Sequence, residues 1–150
     1  MNQLSSAWPA ANRKSGAGDI AVPHVSPHST AGWLTWPGPV KRCLDQLLEL
    51  ELNWDGRRSS RVSPETALFA FQLLTNTMPP EGRGPSIVPL GNGALQLEWH
   101  TIAADLEIEV CKPNVVSVWY EDHETADEQE FEVTTDFRRL TGLIWSVANA

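Results

Sequence analysis

The feature that most constrains this chain is a change of hydrophobic period at Pro79-Pro80. Before it, apolar residues recur every three or four positions. After it, they recur every second position. A stripe of period 3.6 buries its apolar side only as a helix, and alternation of period 2 does so only as a strand. The pair of prolines stops the one from running into the other, because each removes an amide donor and restricts the residue before it.

On the helical side, Val40, Leu44, Leu47 and Leu48 fall on one stripe, with Leu50 and Leu52 near its end. Pro39 is placed for a first-turn proline, and the spacing predicts a helix ending near Leu52 or Asn53. Ser63-Pro64-Glu65 is a second helix start, with an N-cap hydroxyl, a first-turn proline and an early carboxylate. Ala67, Leu68, Phe71, Leu74 and Met78 make its stripe, widened by Ala70 and Leu73.

On the strand side, Ser86 to Leu90 is a short strand that Pro89 confines to an edge or a strand end. Gly91-Asn92-Gly93 is a hairpin turn signal. Leu95, Leu97 and Trp99 alternate with polar neighbours, as do Leu106, Ile108 and Val110. Lys112-Pro113-Asn114 turns the chain again. Val116, Val118 and Tyr120 follow, and a short strand around Phe131 to Val133 closes the set. Thr134 or Thr135 caps a last helix with Phe137, Leu140, Leu143, Ile144 and Val147 on its stripe. The expected architecture is α+β: a four-stranded antiparallel meander with about three helices packed on one face.

Residues 1–37 read differently. Ser, Gly, Ala and Pro recur there without a period, so little apolar area is available to offset the entropy of ordering. The expectation is a flexible or partner-ordered tail, followed by a single domain over 38–150. Trp8, Trp33 and Trp36 in it could dock on that domain or on a partner. His24 and His28 have helical metal spacing, but Pro23 and Pro27 work against a helix.

The chain carries 19 acidic and 11 basic residues, a formal charge of −8. Direct phosphate binding needs clustered Lys and Arg, and the one visible cluster is the loop Arg57, Arg58, Arg61. A nucleic-acid reader or an anionic-membrane binder is therefore not expected. Acidic residues concentrate between Glu98 and Asp136. By period 2, Glu107 and Glu109 share a strand face; the expected acidic binding face comprises these two with Glu98, Glu121, Asp122, Glu130 and Glu132. Such a face suits a protein partner with a basic surface. It could also imitate the phosphates of a nucleic acid toward a DNA- or RNA-binding effector.

Chemistry of other kinds is poorly represented. Glu121-Asp122-His123-Glu124 resembles a metal run, but adjacent side chains diverge and no second His or Cys follows at ligand spacing. No metal and no cofactor are expected. His100 beside Trp99, together with Asp55, would be the acid/base pair of a small hydrolase or nuclease. Cys43 and Cys111 form no spaced pair, and their pairing is open. The absence of a basic-then-apolar leader gives an expectation of a cytoplasmic protein.

Leu-x-x-Leu-x-x-Asn-Trp-Asp-Gly, from Leu47 to Gly56, resembles small bacterial proteins carrying an "NWDG" motif. In those, a Ser/Pro-started helix and a Gly-turn hairpin like Leu95-Gln96-Leu97-Glu98-Trp99 follow. The likeness spans roughly residues 40–145. Such proteins occur among mobile-element and phage-defence genes, so the resemblance implies an inhibitor, antitoxin-like or accessory role. This chain departs from the pattern with Arg57-Arg58-Ser59 after the motif. Within the motif, Asn53 and Asp55 can hold a turn through their own backbone, with Trp54 folded over the helix end. Alternatively Asn53, Trp54 and Asp55, with Trp119 elsewhere, supply binding anchors. The leading expectation is a non-enzymatic protein-binding module in a bacterial or phage conflict system.

Overall fold

A computed structural model describes residues 36–150. The proposed tail, with His24 and His28, lies outside the described residues except for its last two positions. Helix α1 (Pro37–Leu48) and helix α2 (Pro64–Thr77) come first. Five strands follow: β1 (Ser86–Pro89), β2 (Leu95–His100), β3 (Ala104–Lys112), β4 (Val115–Asp122) and β5 (Glu128–Val133). Helix α3 (Arg138–Ala148) ends the chain. The strands form one antiparallel sheet in the order β1-β2-β3-β4-β5. It is a meander of five strands rather than four. Both short outer segments pair along their whole length, β1 with β2 and β5 with β4.

One face of this sheet is apolar. Ile87, Leu95, Leu97, Trp99, Leu106, Ile108, Val110, Val116 and Val118 are buried there. Against them lie Val40, Cys43, Leu44 and Leu47 of α1, Ala67, Ala70, Leu73 and Leu74 of α2, and Leu140, Ile144 and Val147 of α3. Each large aliphatic side chain so buried contributes about 1.5–3 kcal/mol. Trp36 belongs to this core: it is buried, its carbonyl accepts from Val40 N–H, and its ring lies 6.1 Å from that of Phe71. Trp99 satisfies its indole N–H on the Arg83 carbonyl at 2.8 Å.

Three helix details differ from expectation. Helix α1 stops at Leu48, with Glu49 as its C-cap, well before Asn53. An α-helical Asn53 would donate to the carbonyl of Glu49; instead its N–H goes forward to Ser59 O at 2.8 Å, and its φ is +62°. Leu52 is thereby left exposed. In α2, Leu68 faces solvent, and the stripe runs through Thr66 and Thr77 instead; Thr77 bonds back to Leu73 O. Helix α3 is entered through Phe137 without a threonine cap. Asp136 takes the Arg138 N–H and also pairs with its guanidinium, so the threonine hydroxyls are not used for that end. The Ser63 cap of α2 is present, its Oγ accepting from Thr66 N–H at 3.3 Å.

Candidate functional site

The solvent face of the sheet is the candidate site. Strand register sets its rows. One row runs Glu98, Glu107, Trp119, Glu130 across β2, β3, β4 and β5. The next runs Gln96, Glu109, Ser117, Glu132, and the row on the other side runs His100, Asp105, Glu121, Glu128. Trp119 is thus central among carboxylates. Its indole N–H donates to Glu128, which fixes the ring on the face. Gln96, Glu107, Glu109, Ser117, Trp119 and Glu130 line a shallow depression there.

Like charges directly opposite one another destabilise a sheet. Glu98 and Glu107 are such a pair, and Gln96 donates to both, at 2.8 and 3.1 Å. Cys111, half-buried at the β3 bulge, lies 3.6 Å from Glu109; burial first, then the charge of Glu109, pushes its thiol up to about 11. Cys43 and Cys111 are not joined in a disulfide.

Asp122 is not part of this face. In the β3–β4 register it pairs with buried Ala104, so strand alternation assigns it to the other side. Its carboxylate accepts from Glu124 and Thr125 N–H and shapes the turn into β5.

At one end of the face the register assembles a cluster that spacing along the chain did not reveal. His100 lies opposite Asp105, and Asp105 opposite Glu121. His100 Nδ1 is 3.1 Å from Asp105 Oδ1, and its Nε2 is 3.5 Å from Glu98. From the β4–β5 turn, His123 brings Nε2 to 3.3 Å from Asp105 Oδ2. Its Nδ1 is 3.0 Å from the Ile102 carbonyl, and its N–H donates to Ala103 O. Donor atoms of Asp105, Glu121 and His123 all lie within 4.8 Å of one another. Strand pairing also brings His100 against Asp105, but His100 is not one of the three donors that converge. Burial alone would lower the pKa of His100, but the bond and charge of Asp105, then Glu98, bring it above its ordinary value. That of His123 is raised by the Ile102 carbonyl and then Asp105.

The Asn53-Trp54-Asp55-Gly56 motif is elsewhere and its polar groups are engaged within its own loop. Asn53 Oδ1 accepts from Arg58 N–H at 2.6 Å. Asp55 accepts from Arg57 N–H at 2.8 Å and from the hydroxyl of Ser59. Trp54 donates its indole N–H to Ser60 O at 3.2 Å. The bonds to Ser59 and Arg57 hold the Asp55 carboxyl below its ordinary pKa. The segment beyond is pinned to the β1–β2 turn, Ser60 N–H on Gly91 O and Ser63 N–H on Gly93 O. Arg61 pairs with Glu51, while Arg57 and Arg58 are exposed.

Asp55 and His100 are consequently at opposite ends of β2, about 17 Å of strand apart. They do not form one acid/base site. Trp119 is likewise separate from the motif loop, in the middle of the sheet. Among the described residues, no helix is long and apolar enough to cross a membrane. Comparison with family models, with curated proteins and with solved structures returned no match.

Proposed function

We propose that the chain is a non-enzymatic protein-binding module whose sheet face captures a basic segment of a protein partner. The observation that carries this reading is the register that surrounds Trp119 with Glu107, Glu109, Glu130 and Glu128 on one solvent face. An indole presents a negative face to a cation, and neighbouring carboxylates add charge and hydrogen-bond acceptors. Lys and Arg side chains match both. The rest of the acidic face speeds encounter and selects against acidic partners. In the conflict setting that the NWDG resemblance implies, such a module would act as an inhibitor, antitoxin or accessory subunit.

The test is capture from the host with the full chain and three variants. Glu107→Lys/Glu109→Lys and Trp119→Ala are expected to lose the same partner. Glu124→Lys, a charge reversal in the β4–β5 turn, is expected to keep it. Retention of every partner by the double reversal defeats the proposal. Competition with added DNA or RNA then separates a nucleic-acid mimic, whose partner is displaced, from a ligand of some other basic surface.

A further inference from the structure

We propose that Asp105, Glu121 and His123 form a binding site for a first-row divalent transition metal such as Zn²⁺. The site stands apart from the Trp119 depression and does not depend on the binding role given to it. Three geometric facts carry the assignment.

The first is the distance between donors. Ligands 2.0–2.1 Å from a tetrahedral ion lie about 3.4 Å from each other. His123 Nε2 and Asp105 Oδ2 are 3.3 Å apart, and the donor of Glu121 is within 4.8 Å of both. An ion would require the Glu121 donor to lie at about that same 3.4 Å spacing from the other two.

The second is the orientation of His123. Its Nδ1 faces the Ile102 carbonyl, which accepts but cannot donate. The proton of a neutral ring is therefore on Nδ1, and the Nε2 lone pair points at a carboxylate oxygen. Nε2 and the carboxylate oxygen need a positive charge between them; a proton on Nε2 supplies it in the free protein, and a metal ion would take the same place by displacing that proton. A histidine whose second nitrogen is held by a backbone carbonyl is the usual arrangement of a metal ligand.

The third is the support of Asp105. His100 Nδ1 engages Oδ1, the oxygen turned away from His123, and so orients Oδ2 toward it. His100 is here a positioning residue and not a ligand. One imidazole and two carboxylates match Zn²⁺ or Mn²⁺ better than a soft ion such as Cu(I). Asp105 and Glu121 are half-buried and His123 is exposed, so further positions on the ion would open to water.

The ligands come from β3, the end of β4 and the turn after it, and His123 also bonds the β2–β3 turn. An ion there would fasten these segments together and raise the thermal midpoint of the chain, since it binds the folded state alone.

The experiment is calorimetric titration of Zn²⁺ into the full chain at pH 7.5 in moderate salt, with Mg²⁺ as comparison. Saturable one-to-one binding is expected, with Mg²⁺ much weaker. Asp105→Asn, His123→Ala and the closer-shaped His123→Gln should each weaken it by at least ~10-fold. Glu130→Gln and a His24→Ala/His28→Ala chain should bind as the unaltered protein does. Thermal unfolding of each metal-free variant verifies that it folds. The imidazole NMR signals of His123 should move on saturation. Absence of saturable binding, full affinity in His123→Ala and His123→Gln, or equal and salt-erased binding of Zn²⁺ and Mg²⁺ overturns the site; in the last case the ions merely screen the acidic face.

Discussion

The hydroxyl of Ser59 is buried and donates to the carboxylate of Asp55 four residues earlier, while a Cβ placed on Gly91 would come within 2.9 Å of the same hydroxyl. The motif loop and the β1–β2 hairpin are thus fitted to one another through a single oxygen. Ser59→Ala should destabilise the protein by about 1 kcal/mol, the usual net cost of a lost hydrogen bond. A urea unfolding midpoint measures it.

The same loop gives a pH dependence. The Asp55 carboxyl titrates below its ordinary value in the folded chain, held there by Ser59 and Arg57. Its contribution is complete above the unfolded carboxylate value of about 3.9 and is lost as pH falls through the lowered one. Asp55→Asn should therefore lower the unfolding midpoint near neutrality. The gap between variant and parent should shrink toward pH 2. A gap that widens in acid contradicts the assignment.

Two glycines at positive φ should respond differently. Gly56 has φ +72° and open space around its Cβ direction, so Gly56→Ala costs only the left-handed backbone, about 1 kcal/mol. Gly93 has φ +88°, and a Cβ would meet the Arg61 carbonyl at 2.9 Å. Gly93→Ala adds that backbone collision and should cost about 2–3 kcal/mol. Equal losses in denaturant would remove the docking of the Arg61 segment on the hairpin as the reason.

Glu107 is expected to cost stability where it stands. It faces Glu98 directly, and Gln96 bridges the two. Glu107→Gln should raise the free energy of unfolding at low salt by about 0.5 kcal/mol, and Gln96→Ala should lower it by a similar amount. Both differences should diminish in high salt. A face that gains stability when its charge is removed is a face maintained for something other than folding.

If the sheet face binds a basic segment, energy and rate should separate. Trp119→Ala is expected to weaken the partner by about 2 kcal/mol, chiefly through faster dissociation. Glu109→Gln and Glu132→Gln should mainly slow association and flatten its salt dependence. Surface plasmon resonance on an identified partner reads both.

The thiols should be quiet in the folded state. Burial pushes Cys43 up to about 11, and burial with Glu109 does the same for Cys111. Labelling at pH 8 should be on the order of a hundredfold slower than in urea. Glu109→Gln should quicken Cys111 and leave Cys43 unchanged.

The helices and strands were legible because a buried face repeats. Val40, Leu44 and Leu47 declare a helix, and Leu95, Leu97, Leu106, Ile108 and Val110 declare strands, through spacing alone. What the chain concealed depends on pairing. Nothing in the local sequence says that Glu98, Glu107, Trp119 and Glu130 share a row, since that follows from three separate registers. His100 and His123 converge on Asp105 for the same reason, across two turns. The end of α1 is hidden in the sequence because Leu50 and Leu52 continue its apolar content, whereas the helix closes at Glu49 and Asn53 reaches forward to Ser59. Asp122 belongs to the acidic stretch of the sequence but not to the acidic face, because strand parity and not nearness in sequence decides which face a residue joins.

The order of the sheet is also the order of the chain. Every strand finds its partner in the segment next to it, across a short turn, so no pairing waits for distant residues to meet. The entropy of loop closure is then met in small steps, and low contact order of this kind accompanies fast folding for a β-rich protein. The meander can zip outward from β3 while α1, α2 and α3 close over its apolar side. The acidic rows are thus built wholly from pairings between strands that are neighbours in the chain.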